Sequence, residues 1–380
     1  MIPMRNILLT PGPATTSQRV KQAQIVPDIC PREIEFGRLQ EAISRRLVEV
    51  VHGEGTHSAV LFAGSGTCAV EACISSLVPV DGKILVLTNG AYGLRILEMC
   101  RIHLLPEQVL VYENTYDELP DLDDIAGLLA KDRGITHLVA VHHETTTGIL
   151  NPIEELSELT SKFGVRIIVD AMSSYAGIAI DLRRTTLDIL ISSSNKCIQG
   201  MPGASFAICR NELLVPPTDY RPRSMYLDLY AQHQCFQSNL QMRFTPPVQV
   251  LYALNAALDE LFEESQAARY TRYSRCWDVL VQGMDELGFK MAVPDLPQSK
   301  LLTTFMTPAD QNFSFNAMHD ALLAAGFTIY PGKVGKIECF RVANIGQIEP
   351  KDIEAFLYML GRYLTENSIE LQQTAIGKQG

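Results

Sequence analysis

Short apolar runs alternate with amphipathic stretches of helical length between residues 58 and 191 of this 380-residue chain. The runs occupy 58–62, 83–87, 137–141, 165–169 and 187–191. Strands that alternate with helices predict a mainly parallel sheet covered by helices on both faces, that is, an α/β fold. Ligands of such sheets bind beyond the carboxyl ends of the strands. We therefore expect the functional residues in the loops that follow these runs.

Two of those loops carry a lysine and an acid. Lys196 follows the run at 187–191 after three serines and an asparagine, and Asp170 ends the run at 165–169. An amine at one strand end and a carboxylate at a neighbouring one are what pyridoxal phosphate needs, for a Schiff base and for the ring nitrogen. The sequence predicts a pyridoxal phosphate enzyme with Lys196 and Asp170 as catalytic residues. Lys333 is the alternative Schiff-base lysine, but no strand that ends in an acid lies near it in sequence.

A glycine-rich turn at 64–67 lies between a strand and a helical pattern. The amides of Gly66 and Thr67, with the hydroxyls of Ser65 and Thr67, would hold a phosphate at the positive end of the helix dipole. The turn matches neither the dinucleotide fingerprint nor the P-loop. An ordinary glycine turn is the alternative, and the presence of Lys196 and Asp170 favours the phosphate site.

Two further segments follow strands. Tyr92 precedes a helix, where its ring would lie over a flat cofactor, and an ordinary half-buried tyrosine is the alternative. His142 and His143 invite a metal interpretation, but adjacent strand residues point to opposite faces, so packing is favoured and no metal is expected. One of the hydroxyls at 145–147 would bond the phenolic oxygen of the cofactor.

Arg341 lies between apolar residues of a strand-like segment, where an arginine is costly unless it is paired. Its planar fork suits a carboxylate or a phosphonate. An ion pair with Glu338 is the alternative, but the two-residue period of a strand places those side chains on different faces. The sequence therefore predicts a substrate site at Arg341.

Composition excludes several classes of protein. The net charge is −11, with no long basic run, which argues against a nucleic-acid surface. No segment approaches the roughly 20 apolar residues of a membrane span, and the amino terminus lacks a signal-peptide pattern. The 9 cysteines show no paired metal spacing, which favours a reduced cytoplasm.

The pattern changes near residue 258. A long helical stretch is predicted over 248–283, then strands at 301–305 and 337–342 with a helix at 315–325 between them, and a final helix at 352–365. We expect four parts. They are an N-terminal segment near the active site (1–20), a large cofactor-binding domain (21–262), a smaller α+β domain (263–367) and a polar tail (368–380).

Nine motifs in family order resemble those of class V aminotransferases of fold type I. They lie at 8–13, 64–67, 89–93, 143–148, 169–174, 194–200, 227–230, 243–245 and 330–334. The runs at 195–200 and 330–334 resemble the phosphonate branch of that family. The resemblance implies reversible, ping-pong transamination of 2-aminoethylphosphonate with pyruvate, which gives phosphonoacetaldehyde and L-alanine.

The resemblance also implies roles for individual residues. Lys196 would carry the cofactor, Asp170 would pair its ring nitrogen, and Arg341 would receive the acidic end of the substrate. Thr245 would reach the phosphate from the other subunit, which implies a homodimer with shared active sites. The remaining cofactor-binding residues would be Ser65, Gly66, Thr67, Tyr92, Thr145, Met172 and Asn195.

Other class V activities stay open. An alanine:glyoxylate or serine:pyruvate aminotransferase, or an aminophosphonate lyase, would share all but the recognition of the acidic end. Cysteine desulfurase is disfavoured because Cys339 lies in a strand-like segment. The segment 28–33 departs from the acidic, aromatic stretch of many members, and it brings Arg32 near the expected pocket entrance.

Overall fold

The structure is a computed structural model that describes residues 6–334 and 337–371, without the side chains of residues 333, 334 and 337. Its strands are Ile7–Leu8 (β1), His57–Ala63 (β2), Lys83–Thr88 (β3), Val109–Glu113 (β4), Ile135–Val141 (β5), His143–Glu144 (β6), Ile149–Leu150 (β7), Arg166–Asp170 (β8), Ile189–Ser193 (β9), Ala204–Arg210 (β10), Leu302–Met306 (β11), Phe327–Thr328 (β12), Tyr330–Val334 (β13) and Ile337–Ala343 (β14). Its helices are Gln18–Gln22 (α1), Ile34–Glu49 (α2), Gly66–Leu77 (α3), Ala91–His103 (α4), Leu122–Lys131 (α5), Ile153–Phe163 (α6), Leu229–Asn239 (α7), Val248–Glu264 (α8), Gln266–Glu286 (α9), Phe315–Ala324 (α10) and Pro350–Glu366 (α11). No helix of the described part of the chain is long and apolar enough to cross a membrane.

A seven-stranded sheet forms the centre of the molecule, in the order β2-β10-β9-β8-β5-β3-β4. All neighbours pair in parallel except β10, which runs antiparallel to both β2 and β9. The predicted α/β fold with a mainly parallel sheet is confirmed. Because β2, β3, β5, β8 and β9 all run in one direction, their carboxyl ends meet at one edge of the sheet.

Two apolar layers cover the sheet, because successive strand side chains point to opposite faces. In β3, Ile84 and Val86 pack with α3 and α4 on one face. Leu85 and Leu87 pack with α5, α6 and α8 on the other face. These near-continuous apolar strands are buried on both sides, which explains why the sequence pattern identified them.

A second, three-stranded antiparallel sheet has the order β11-β14-β13. It packs with α9, α10 and α11 around a separate apolar cluster that includes Phe340 and Phe356. The short strand β1 pairs in parallel with β12 and so ties the N-terminal segment to this part. The boundaries 21–262 and 263–367 stay predictions.

The stretch predicted to be helical over 248–283 is helical, but it is broken once. The structure has two helices, α8 and α9, which meet at Ser265. Ser265 has a φ of 68°, which ends the α8 geometry, and its side chain accepts a hydrogen bond from the amide of Ala268 as the cap of α9. Apolar periodicity continues across this break, so the pattern alone did not show it.

Candidate active site

One cavity of about 190 Å³ opens at the carboxyl edge of the large sheet. Asp170 ends β8, and Lys196 lies three residues after β9, its parallel neighbour. Tyr92 follows β3 at the start of α4, and Ser65 precedes α3 after β2. Eight residues predicted for the cofactor site line this cavity, namely Ser65, Gly66, Thr67, Tyr92, Asp170, Met172, Asn195 and Lys196.

The Lys196 side chain is held by the N-terminal segment. Its Nζ donates a hydrogen bond to the carbonyl oxygen of Pro11 at 2.7 Å, and the amide of Ala14 donates to the carbonyl oxygen of Asn195 at 2.9 Å. Burial lowers the pKa of Lys196 to about 8, against the opposing effect of Asp170 and with help from the cations of Arg341 and Arg95. At neutral pH a minor fraction of the Lys196 side chains therefore carries an uncharged amine.

The Asp170 carboxylate is buried at the end of β8, and its Oδ1 accepts a hydrogen bond from the amide of Met172 at 2.9 Å. Burial and the charge of the nearby Glu144 raise the pKa of Asp170 to about 6, although the Met172 bond and the cations of Lys196 and Arg95 favour the charged form. At pH 7 the carboxylate is mostly ionised, and it can accept a hydrogen bond from a protonated ring nitrogen.

The start of α3 is open for an anion. Ser65 is its N-cap residue, yet the Ser65 side chain makes no capping hydrogen bond to the helix. A Cβ at Gly66 would lie 2.1 Å from Sδ of Met172, so a larger residue there would push the end of the Met172 side chain aside. Backbone amides without a partner, at the positive end of a helix dipole, are groups of the kind that bind phosphate.

Tyr92 is half-buried, and the Arg95 guanidinium lies over its ring, with Cζ 4.9 Å from the ring centroid. Arg95 also lines the cavity and forms no ion pair or hydrogen bond with any part of the chain that the structure describes. The sequence analysis missed Arg95. The signal was present, because residues three apart on a helix share a face and Arg95 is three residues after Tyr92.

The Arg341 guanidinium is fixed by three contacts. Its Nη1 donates to the carbonyl oxygen of Thr145 at 3.3 Å, its Nη2 donates to that of Pro331 at 3.0 Å, and its Cζ lies 5.1 Å from the Tyr330 ring centroid. Its Nε is buried without a partner among the described residues, and Arg341 forms no ion pair there either. A guanidinium without an acidic partner is of the kind that suits a carboxylate or a phosphonate.

Comparison with known proteins decides the family. Residues 33–314 match the profile of the Aminotransferase class-V family. A 2-aminoethylphosphonate–pyruvate transaminase of Vibrio cholerae is 42% identical over 354 residues, which cover 92% of this chain and 95% of the relative. One of Bacillus mycoides is 43% identical and covers 91% of this chain and 94% of the relative.

The chain belongs to the class-V aminotransferases. Among solved structures, an alanine–glyoxylate aminotransferase of Nostoc sp. is similar, with a TM-score of 0.86, 25% identity and 96% of each chain covered. Pyridoxamine-pyruvate aminotransferase from Mesorhizobium loti has a TM-score of 0.86 at 22% identity and covers 97% of this chain and 95% of the other, a likeness of fold. The predicted family, fold type and class of enzyme are confirmed.

Three predicted residues of this class-V aminotransferase do not line the cavity. Thr145 is buried, and its carbonyl oxygen rather than its hydroxyl meets Arg341. Thr245 is exposed on the segment before α8. Arg341 lies close enough to lower the pKa of Lys196, but it does not line this cavity itself.

Two other basic residues singled out by the sequence occupy different places. The Arg32 guanidinium does not line the cavity of the class-V site. It donates to the carbonyl oxygens of Met242 and Arg243 at 2.9 and 3.4 Å and to Oε1 of Gln241 at 3.0 Å. Lys333 has its backbone in β13, but its side chain lies outside the described residues.

The adjacent histidines pack in the interior. Burial lowers the pKa of His142 to about 3 and that of His143 to about 4, so both stay neutral. Nε2 of His143 lies 2.8 Å from the Ser299 hydroxyl. Among the described residues, no group of three or more His, Cys, Asp or Glu side chains is arranged for a metal ion.

Proposed function

We propose that this class-V aminotransferase uses pyridoxal phosphate to transfer the amino group of 2-aminoethylphosphonate to pyruvate, which gives phosphonoacetaldehyde and L-alanine. The observation that carries the proposal is a single cavity that joins an amine, a carboxylate and an uncapped helix start. Relatives at 42% and 43% identity bear the name of this activity. The reaction would be ping-pong, because one site serves both substrates in turn. It would be reversible, because the second half-reaction is the first one run in the opposite direction.

The residues present fit pyridoxal phosphate. Lys196 would hold it covalently, and Ser65, Gly66 and Thr67 would bind its phosphate at the start of α3. Tyr92 and Met172 would enclose the ring. When bound, the cofactor supplies an electron-withdrawing ring and carries the amino group from one substrate to the other.

Lys196 would act as the general base. Because burial lowers its pKa to about 8, its Nζ can take a proton from the substrate carbon that bears the nitrogen and later return it. The carbonyl oxygen of Pro11 keeps this amine aimed along one direction while it is free. Asp170, ionised at neutral pH, would hold a proton on the ring nitrogen.

Arg341 would bind the acidic end of both substrates. Its contacts with Thr145, Pro331 and Tyr330 fix the plane of the fork, and no acid of the described residues pairs with it, so its charge is left for a phosphonate or a carboxylate. The same residue would therefore serve both half-reactions.

Thr245 would complete the phosphate site of a partner subunit in a homodimer. Thr245 is exposed, and the segment before it is clamped by Arg32, while Gln241 donates back to the carbonyl oxygen of Arg32 at 3.0 Å. Close by, Met225 is 74% exposed, and Tyr226 stacks on Phe244 with ring centroids 5.2 Å apart. An exposed apolar patch beside the polar Thr245 supports an interface on this face.

A panel of amine donors tests the proposal. Wild type and Lys196→Ala would be loaded with pyridoxal phosphate and mixed with 2-aminoethylphosphonate or serine, and the cofactor absorbance would be followed in one turnover. We expect the aminophosphonate to react at least about tenfold faster than serine, and only in wild type. A faster reaction with serine would replace the phosphonate assignment with another class-V aminotransferase activity.

A further inference from the structure

A buried carboxylate lies at the start of α4, and the function proposed above assigns it no role of its own. Glu144 is 0% exposed, and it forms no ion pair within residues 6–334 and 337–371. A buried carboxylate without a cation is costly unless hydrogen bonds satisfy its oxygens. The partners of Glu144 therefore indicate what it does.

The Glu144 carboxylate and Thr146 together satisfy the first amides of α4. Oε2 of Glu144 accepts from the amides of Tyr92 and Gly93 at 3.3 and 3.4 Å. Its Oε1 accepts from the amide and the hydroxyl of Thr146 at 3.0 and 2.6 Å. The Thr146 hydroxyl in turn accepts from the amide of Ala91 at 2.9 Å. A negative charge at these donors also complements the helix dipole.

The N-cap residue of α4 has no side chain, and this leaves space for the Glu144 carboxylate. Residue 90 is glycine, and a Cβ there would lie 2.2 Å from Cδ of Glu144. The cap of α4 thus comes from a segment about fifty residues away, rather than from the side chain at the N-cap. It joins the loop after β5 to the loop after β3, at the carboxyl edge of the sheet.

The first turn of α4 carries Tyr92 and Arg95, which both line the cavity. The Glu144 carboxylate accepts a hydrogen bond from the backbone amide of Tyr92. It therefore fixes the position of the backbone from which the Tyr92 side chain extends. We propose that Glu144, with Thr146, is a positioning residue that holds the Tyr92 ring over the cofactor. This inference rests on the proposed function, since it assigns Tyr92 to the cofactor ring.

Glu144→Gln is the sharpest substitution. A glutamine keeps the shape of the side chain. Whichever way its amide turns, however, its NH2 group must face one of the two sets of donors from which the carboxylate accepts hydrogen bonds, so donor would face donor. Thr146→Val removes the hydroxyl that links Glu144 to Ala91, and Thr146→Ser keeps it. The measurements are the dissociation constant of pyridoxal phosphate and the visible circular dichroism of the bound cofactor.

We expect Glu144→Gln and Thr146→Val to weaken cofactor binding about fivefold to tenfold and to change the dichroism. Thr146→Ser keeps the hydroxyl, so its dissociation constant for the cofactor and its dichroism should both stay at the wild-type values. Asp121→Ala is the matched control, because Asp121 caps α5 through the amides of Asp123 and Asp124 and lies outside the cavity. It should lower the melting temperature without a change in either cofactor signal.

The outcomes separate the two proposals. If Glu144→Gln and Thr146→Val lower the melting temperature as Asp121→Ala does but leave the affinity and dichroism at wild-type values, Glu144 is only structural and the inference is wrong. If Glu144→Gln does not fold, the two Thr146 variants decide. If wild type binds no pyridoxal phosphate, the proposed function fails first.

Discussion

The Nζ of Lys196 donates a hydrogen bond to the carbonyl oxygen of Pro11 at 2.7 Å, and the next residue, Gly12, lies against the same side chain. The N-terminal segment is therefore part of the lysine site, although 185 residues separate the two partners. This contact holds the amine at the carboxyl edge of the sheet.

Gly12→Ala should disable the lysine. A Cβ there would lie 2.4 Å from Nζ of Lys196, and Gly12 has a φ of 140°. Gly55→Ala is the matched control, because Gly55 has a φ of 78° but no atom within 4 Å of the added Cβ. Both should lose about 1–3 kcal/mol of stability from backbone strain, and only Gly12→Ala should lose cofactor uptake. Equal uptake by both variants would exclude the contact.

Asp170→Asn should retain the cofactor but lose turnover. An amide cannot hold a proton on the ring nitrogen as the ionised carboxylate does, and the loss should be about 3 kcal/mol in the transition state. Asp188→Asn is the control, since Asp188 is a buried acid that pairs with Arg166 and Arg210 instead. Steady-state kcat of both variants is the measurement, and near-normal turnover by Asp170→Asn would refute the role of the acid.

Arg341→Lys should impair both half-reactions although the charge is kept. Lysine offers a point charge where the fork makes aligned bonds, so we expect a loss of about 2 kcal/mol in kcat/KM for the aminophosphonate and for pyruvate. Arg223 also donates to backbone carbonyls, at Ser75 and Val78, but lies outside the cavity, so Arg223→Lys is the control. A loss confined to one substrate would place the shared acid site elsewhere.

Cofactor capture by the cofactor-free enzyme should speed up as pH rises through about 8. Only the uncharged amine attacks, and burial lowers the pKa of Lys196 to about 8, so the reactive fraction grows across that pH. Arg341→Gln should move the midpoint upward, because the Arg341 cation helps to lower this pKa. Stopped-flow absorbance from pH 6.5 to about 9.5 measures both curves. A midpoint near the ordinary lysine value in wild type would contradict the buried site.

The sequence predicted the part of the site that follows from strand order. Asp170 ends β8, and Lys196 follows β9, its parallel neighbour. The apolar runs of these strands were recognised because both of their faces are buried. Strand β10 escaped the sequence analysis. Its residues are a buried apolar run close to β9 in sequence, but its antiparallel pairing with the distant β2 leaves no local signal.

Apart from Arg95, what the sequence analysis missed at the site depends on contacts between distant segments. Glu144 acts on amides 51 and 52 residues away, and the partners of Arg32 lie 209 to 211 residues away. The sequence showed that Arg32 departs from a family pattern, but not that its guanidinium holds the segment before Thr245. Such contacts follow from tertiary packing, which periodicity does not encode.

Reduction of the enzyme loaded with pyridoxal phosphate tests the central claim most directly. Borohydride should fix the cofactor to one lysine, and peptide mapping by mass spectrometry should find it on Lys196 alone. Lys196→Ala should bind cofactor only weakly and carry no label. A label on Lys333, or a wild-type protein without any labelled peptide, would contradict the site described here.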